Sequence, residues 1–366
     1  MRPLRVLHSE AATSFGGQEH RIYKEMLAMR ERGHHLELVC QPDALLVERV
    51  RAEGFTVHTT PMNGHVNFIK SVAKIRRVLR KSRFDVLNTH SRRDTLIAGV
   101  AGRLAGTPLI VRTRHLAIKA GSLLSYTWIP HRVTTVSDYV RINLIKAGVP
   151  PGRIATVYSP IELPPPVEHS TLRDELGLAV DDVVVGCVAV MREKKGHMAL
   201  LEAIEPLFNA RPALHLVLVG SGSPVFERVQ AYVKEHGLAR RVHLLGTRRD
   251  VPNLLAGCDL FALATEQEAS GTVFVEAAAA GLPVIGTDVG GVSEMLREGE
   301  TGWLVPVGDT QALRAALERL VDDRALRKRM GEAGRRLFRD EGKFSLETLA
   351  QNTERCYVEW LRERRA

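Results

Sequence analysis

Short apolar runs alternate with stretches of helical periodicity along most of the 366-residue chain. Residues 4–8, LRVLH, predict a strand, and residues 13–34 predict a glycine turn followed by an amphipathic helix. Residues 36–40, LELVC, predict the next strand. A strand, a helix and a second strand in this order form a βαβ unit, in which the two strands run parallel. The chain is therefore predicted to be an α/β protein built on doubly wound parallel sheets.

Length and local composition predict two domains. A chain of 366 residues can form two domains of ordinary size, each with its own core. Residues 161–170, IELPPPVEHS, are proline-rich and are expected to be an extended linker. We therefore expect an N-terminal Rossmann-like domain over residues 1–163 and a C-terminal one over residues 171–344.

Composition excludes several classes of protein. No apolar run approaches the ~20 residues that a membrane-spanning helix needs, and the N-terminus is better explained as a first strand than as a signal peptide. We therefore expect a cytoplasmic protein. The cysteines are widely separated and suggest neither a disulfide framework nor a zinc site. The net charge of +9 predicts affinity for anions, but leaves open nucleic acid, phosphorylated glycan and acidic lipid.

The stretch from Glu266 to Glu294 concentrates the functional signals. Glu276 follows Glu268 by eight residues, and the sequence between them, with Gly271, predicts a loop and a helix start. Unpaired amides at a helix start attract anions, and a glycine lets a phosphate approach the backbone. A carboxylate one turn into such a helix could accept hydrogen bonds from ribose hydroxyls. The alternative is that both glutamates are solvated or capping residues.

This stretch resembles the E-x7-E signature of retaining glycosyltransferases of family 4, which continues as EAxAxGxPVI. The matching positions are Glu268, Gly271, Glu276, Ala277, Ala279, Gly281, Pro283, Val284 and Ile285, followed by Gly290, Gly291 and Glu294. Residues 136–160 are similar to another stretch of that family, with Ser159-Pro160 in place of the usual Asn-Gly. The resemblance to the motif GRLxxEKG selects Lys195, because Gly196 sets the register. The family's arginine is replaced by Val190, and Arg192 is the nearest guanidinium.

The N-terminal half carries three further signals. Gly16, Gly17 and Glu19 match the family's GGxE loop, which lies near the donor phosphate and the acceptor. His90 and His115 both follow apolar runs, and ligands of open α/β sheets collect beyond the carboxyl ends of the strands. The residues alone favour hydrogen-bonded structural histidines at both positions. His115 ends a segment, PLIVRTRH, that is similar to the family strand whose histidine faces the sugar.

The resemblance implies a GT-B fold, in which two Rossmann-like domains face each other across a cleft and a C-terminal helix, here residues 345–366, crosses back onto the first. It implies metal-independent hexosyl transfer from a nucleotide-sugar, without another cofactor, and with retention at the anomeric carbon. The expected acceptor is a glycan or a lipid-linked glycan of lipopolysaccharide or cell-surface polysaccharide biosynthesis, not nucleic acid. The implied catalytic residues are Glu268, His115 and Lys195. The implied donor-binding residues are Gly17, Arg192, Lys195, Gly246, Ser270, Gly271, Thr272, Val273 and Glu276, and the implied acceptor-binding residues are Gly16, Glu19, His90 and Arg114.

Two other functions remain as alternatives. One is a different GT-B enzyme, such as a nucleotide-sugar epimerase or a phosphorylase, and the other is a non-catalytic anion-binding protein. Residues 69–83, IKSVAKIRRVLRKSR, predict a helix with a basic face. An apolar stripe is expected at Ile69, Val72, Ala73, Ile75, Val78 and Leu79. This helix either packs on the sheet as an ordinary surface helix or also docks the enzyme on an anionic membrane, at the cytoplasmic face of the inner membrane.

Overall fold

The chain folds into two units. The computed structural model describes residues 2–116, 122–268 and 271–364. Unit 1 comprises Met1–Pro160 together with Phe344–Ala366, and unit 2 comprises Ile161–Lys343. The chain thus passes from unit 1 to unit 2 at the start of the proline-rich segment.

Unit 1 is built on a parallel sheet. Within the described residues its strand order is β3-β2-β1-β4-β5-β6-β7. The strands are β1 (Arg5–Glu10), β2 (His35–Cys40), β3 (Thr56–Thr59), β4 (Val86–Thr89), β5 (Leu109–Arg114), β6 (Arg132–Thr135) and β7 (Ile154–Thr156). The helices are α1 (Gly17–Glu31), α2 (Leu45–Ala52), α3 (His65–Ser82), α4 (Arg92–Asp94), α5 (Val100–Ala105), α6 (Leu124–Thr127) and α7 (Asp138–Lys146). The strand order reverses direction between β1 and β4, which is where ligands bind in doubly wound sheets.

Unit 2 repeats this topology. Its described strands have the order β10-β9-β8-β11-β12-β13. They are β8 (Val183–Val188), β9 (Leu214–Val219), β10 (Val242–Gly246), β11 (Leu260–Leu263), β12 (Val284–Thr287) and β13 (Gly302–Val305). The helices are α8 (Leu172–Leu176), α9 (His197–Ala210), α10 (Val225–Glu235), α11 (Val251–Ala256), α12 (Thr272–Ala279), α13 (Thr310–Asp322) and α14 (Arg324–Arg335). The predicted α/β class with two Rossmann-like units is confirmed.

The last helix, α15 (Leu346–Glu363), completes the core of unit 1. Its apolar face lies against α1 and the sheet, and Tyr357 and Trp360 are buried there. The Tyr357 hydroxyl accepts a hydrogen bond from Asn88 Nδ2 at 2.9 Å and donates one to Glu25 at 3.2 Å. The C-terminal helix is therefore tied to β4 and α1 by a buried polar link as well as by apolar packing.

The basic segment of residues 69–83 forms most of α3, but the predicted apolar stripe is too wide. Val72, Ile75 and Leu79 are buried against the sheet. Ile69 is 73% exposed and Ala73 is also exposed, so the prediction was wrong for these two residues. The helix packs through a narrow face, since only positions spaced by three or four residues point at the sheet.

Candidate active site

A tight turn follows β8 in unit 2 and presents basic side chains. Residues 193–195 form a 3-10 turn, and Gly196 then adopts the left-handed conformation with φ 68°. A Cβ atom on Gly196 would lie 1.8 Å from the carbonyl oxygen of Ala264, so no other residue fits there without a backbone shift. The backbone oxygen of Lys194 accepts hydrogen bonds from Glu266 N at 2.8 Å and Thr265 Oγ1 at 2.9 Å. The turn is therefore fixed to the loop that leaves β11.

This packing brings Lys195 to Glu268. Lys195 Nζ lies 2.5 Å from Glu268 Oε2, and the two side chains are 26% and 14% exposed. Lys194 points elsewhere, to Gln267 Oε1 at 3.1 Å on the surface. Arg192 is exposed, and its side chain makes no hydrogen bond or ion pair within the described ranges. Val190, at the position of the family's arginine, is 54% exposed.

The loop that carries Glu268 is also held from the side of β12. Gly291 N donates a hydrogen bond to the Glu268 carbonyl oxygen at 3.2 Å. A Cβ atom on Gly290 would lie 1.8 Å from the same oxygen, and the residue has φ 58°. Thr287 Oγ1 donates to the backbone oxygen of Thr265. The close packing of the two loops thus explains Gly290 of the family motif.

Helix α12 begins directly beside Glu268. Gly271 precedes the helix with φ 70°, and a Cβ atom there would lie 3.1 Å from Glu268 Cγ and 2.9 Å from the Phe274 ring. Thr272 and Val273 form the first turn, so their amides are at the helix start. Ser270, predicted to bind the donor, lies outside the described residues.

Glu276 lies one turn into α12, on the same side as Thr272. It is half-buried, and burial raises the pKa of its carboxyl, opposed by a hydrogen bond with Thr272. With residues 164–167 it lines a pocket of about 70 Å³ whose wall includes Arg335 and Arg339. An acceptor of hydrogen bonds and two guanidinium groups therefore share this pocket.

The glycine turn after β9 has a structural role. Cβ atoms on Gly220 and Gly222 would lie 1.9 Å from Ala189 O and 2.4 Å from Met191 O. The neighbouring backbone therefore requires glycine at both positions. Gly246, at the end of β10, has φ 63° and faces open space.

The glycine loop of unit 1 begins helix α1. Gly16 and Gly17 are exposed, and Gly16 N donates a hydrogen bond to Glu19 Oε2 at 2.8 Å. Glu19 is buried, and its carboxylate caps the Gly16 amide, which is one of the two hydrogen bonds of a capping box. Arg114, at the end of β5, is half-buried, with its guanidinium 5.9 Å from the centre of the Tyr126 ring.

Two of the predicted histidines are in contact. His90 Nδ1 lies 3.0 Å from His115 Nε2, and His90 Nε2 lies 3.0 Å from His8 Nδ1. Both ring nitrogens of His90 therefore have partners within unit 1, and the residue is only 2% exposed. Direct contact with an acceptor, as predicted for His90, would require it to exchange one of these partners.

Comparison with known proteins shows the family and the fold. The model described as "Glycosyltransferase Family 4" matches residues 15–163, and "Glycosyl transferases group 1" matches residues 168–337. The chain is 24% identical to the UDP-Gal:alpha-D-GlcNAc-diphosphoundecaprenol alpha-1,3-galactosyltransferase of Escherichia coli, over 88% of this chain and 89% of that protein. It is 27% identical to the N-acetyl-alpha-D-glucosaminyl L-malate synthase of Bacillus anthracis, over 92% of each. Anabaena Alr3699/HepE, crystallised with UDP, has the same fold: TM-score 0.77, 21% identity, 97% of this chain and all of that one.

The chain belongs to the GT-B glycosyltransferases.

Two buried acidic residues of unit 1 with raised pKa values, Glu10 and Asp94, were not among the residues predicted from the sequence. Glu10 ends β1, and its carboxylate accepts hydrogen bonds from Ala11 N and Ala12 N at 2.7 and 2.8 Å. Burial, together with the nearby Asp94, raises the pKa of Glu10 to about 8, and burial raises that of Asp94 to about 6. The sequence signal was present, because Glu10 and His8 stand at the end of an apolar strand as His90 and His115 do.

The described part of the glycosyltransferase has neither a membrane-spanning helix nor a cluster of metal ligands. None of the helices in residues 2–116, 122–268 and 271–364 is long and apolar enough to cross a membrane. Over those same residues, no group of three or more His, Cys, Asp or Glu side chains is arranged to hold a metal ion.

Proposed function

We propose that this enzyme transfers a hexosyl group from a nucleotide-sugar to a glycan or lipid-linked acceptor hydroxyl, with retention and without a metal. The Lys195–Glu268 pair beside the start of α12 carries the proposal. This part of unit 2 brings together a cation that would bind a diphosphate, a carboxylate that would bind sugar hydroxyls and helix amides that would bind phosphate oxygens.

The leaving diphosphate explains the positive charge. Negative charge grows on the diphosphate as the glycosidic bond breaks, and donors fixed in advance stabilise that charge most effectively. Lys195, with the amides of Thr272 and Val273 and the exposed Arg192, would supply this stabilisation. Glu268, paired with Lys195, would then hold the donor sugar by its hydroxyls.

The nucleoside would lie farther along the same helix. Glu276 would accept hydrogen bonds from the ribose, and Gly246 would border the base. Ser270 and Gly17 keep their predicted donor contacts as part of this proposal. In unit 1, His115 would face the sugar, while Gly16, Glu19 and Arg114 would contact the acceptor, with His90 acting through His115.

The relatives support a surface-glycan pathway. The Escherichia coli relative is named for a diphosphoundecaprenol-linked acceptor, and another relative, 32% identical over about half of this chain, is a lipopolysaccharide core glycosyltransferase of Rhizobium meliloti. We therefore place the reaction in lipopolysaccharide or cell-surface polysaccharide biosynthesis, in the cytoplasm at the inner-membrane face.

A panel of UDP-, GDP- and ADP-sugars, screened by thermal stabilisation, would identify the donor. Release of the nucleoside diphosphate from that donor would then be measured with wild type and with Glu268→Gln. Turnover by wild type that the variant loses supports transferase chemistry. Interconversion of the nucleotide-sugar would indicate an epimerase, and stabilisation without any turnover would indicate an anion-binding protein. The anomer of the glycosylated product, read by NMR, would decide between retention and inversion.

We further propose that unit 1 docks on an anionic membrane surface. Arg76 of α3 donates from Nε to Leu104 O at 3.2 Å, which places the basic face of the helix beside a groove of about 640 Å³. The groove is lined by Arg103, Arg132, Arg153 and Arg364. Leu104 and Trp128, at the same groove, are 53% and 74% exposed. Clustered cations beside exposed apolar side chains suit an anionic lipid surface, where each basic residue contributes about 1 kcal/mol.

Sedimentation with vesicles tests this docking. Wild type should bind vesicles of anionic lipid at low salt, lose most binding at high salt, and ignore neutral vesicles. Replacement of Arg76, Arg77, Arg80 and Lys81 by Gln should abolish that binding. Binding that survives these four changes, or that ignores lipid charge, would leave an enzyme that does not dock through α3.

A further inference from the structure

The carboxyl ends of three adjacent strands carry histidines on the same face of the unit 1 sheet. His8 of β1 pairs with Asn88 of β4, which in turn pairs with Val111 of β5. His90 lies two residues beyond Asn88, and His115 lies four beyond Val111. Even steps keep a side chain on the same face of a strand. The three rings therefore run diagonally across β1, β4 and β5.

The rings form a continuous chain of hydrogen bonds. His8 Nδ1 lies 3.0 Å from His90 Nε2, and His90 Nδ1 lies 3.0 Å from His115 Nε2. Neighbouring ring centres are 5.3 and 5.2 Å apart. His8 is fully buried and His90 is 2% exposed. Burial lowers the pKa of all three histidines, so the chain is neutral at pH 7.

Neutrality restricts where the protons can be. A neutral imidazole carries one N–H and one lone pair, and each bond in the chain needs one of each. Only two arrangements satisfy both bonds: all three rings protonated on Nε2, or all three on Nδ1. In the first, Nδ1 of His115 accepts a hydrogen bond, and in the second it donates one. The position of the proton on His8 is therefore coupled to whether His115 Nδ1 is an acceptor or a donor.

We propose that His8 and His90 are positioning residues that fix the orientation and the tautomer of His115. This rests on the proposed role of His115 beside the donor sugar. A residue that faces a sugar must present either a donor or an acceptor, and a ring free to exchange tautomers would present a mixture. The chain couples the tautomer of His115 to those of His90 and His8, so that the three rings share one of two states, as the partner of a catalytic imidazole sets its orientation in other enzymes.

Nuclear magnetic resonance reads the tautomers directly. In protein labelled with ¹⁵N-histidine, two-bond and three-bond correlations distinguish Nδ1–H from Nε2–H rings. The expected spectrum at pH 7 shows His8, His90 and His115 in the same neutral tautomer. In His8→Phe, which keeps a ring but removes the bond, His115 should become a mixture of tautomers. A His115 spectrum that His8→Phe leaves unchanged, or opposite tautomers on His90 and His115 in wild type, would overturn the proposal.

Kinetics separate positioning from simple packing. His8→Phe should lower kcat roughly 10- to 100-fold with little change in the donor KM. His8→Asn places an amide near the former Nδ1 and should recover much of that loss. The matched control is His243→Phe in unit 2, where His243 Nε2 lies 3.1 Å from His215 Nδ1 in another ring pair. Equal losses of kcat in the His8→Phe and control variants would indicate packing alone.

The NMR and kinetic measurements test the histidine coupling and the transferase function separately. If wild type turned over no nucleotide-sugar but its histidines shared one tautomer that His8→Phe disturbs, the transferase assignment would fail and the coupling would stand. If His8→Phe does not fold, the wild-type spectrum and His90→Asn decide. His90→Asn removes the bond to His8 and is expected to leave His115 as a mixture.

Discussion

Glu276→Gln should separate donor binding from folding. The substitution keeps the size of the side chain and its place on α12, but removes the charge that we propose accepts hydrogen bonds from the ribose. A hydrogen bond to a charged group contributes roughly 1.5–3 kcal/mol. The donor dissociation constant is therefore expected to rise about 10- to 150-fold.

The thermal stability of the Glu276→Gln variant should not fall together with its donor affinity. Burial raises the pKa of Glu276 above its ordinary value of 4.5, so the folded protein holds this proton more tightly than the unfolded chain does. Its contribution to stability is full below pH 4.5 and is lost as the pH rises through the raised pKa. Because Gln does not titrate, the variant should have an unchanged or higher Tm at pH 7, and a smaller loss of Tm between pH 4 and 7.

Isothermal titration calorimetry with the donor, and scanning calorimetry of the free protein, measure the two effects. Glu202→Gln, an exposed position on α9, is the control and should change neither. An unchanged donor Kd would show that the ribose contact is wrong. A weaker Kd accompanied by a lower Tm at pH 7 would show instead that the carboxylate stabilises the fold.

Three further predictions test the site and its framework. Lys195→Ala should slow transfer strongly with acceptor binding unchanged, while Lys194→Ala is nearly silent, and equal kinetic defects would refute the register set by Gly196. Gly196→Ala should lower the unfolding free energy by more than Gly237→Ala does, because both residues have a left-handed φ near 67° but only Gly196 faces a backbone oxygen. The left-handed backbone alone costs roughly 1–2 kcal/mol in either variant. Equal losses in denaturant titrations would contradict the close packing at Gly196. Tyr357→Phe should lower that free energy by about 1–3 kcal/mol by leaving buried partners unpaired, and an unchanged urea midpoint would show that the link to β4 and α1 is dispensable.

The sequence determined the fold because its signals are local. Apolar runs that end in polar or glycine residues, as in LRVLH and LELVC, fix strands whichever element lies beside them. Long amphipathic stretches between such strands predict helical crossover connections, and these connections join parallel strands. Positions that depend on a neighbour were less predictable. Ile69 and Ala73 fit the helical stripe, but the narrow contact of α3 with the sheet leaves both exposed.

The sequence also indicated Glu268, Glu276 and Lys195 as candidate site residues, through its resemblance to the motifs of a known family. It could not show that Lys195 and Glu268, 73 residues apart, form an ion pair, because that contact depends on how two loops pack against Gly196 and Gly290. The histidine chain is a similar case. Each ring is visible as a strand end, but the order β1-β4-β5 and the register between these strands bring the rings within hydrogen-bonding distance. The sequence shows which residue types stand in each local motif. Contacts between distant segments depend on sheet order and loop packing, which only the tertiary structure decides.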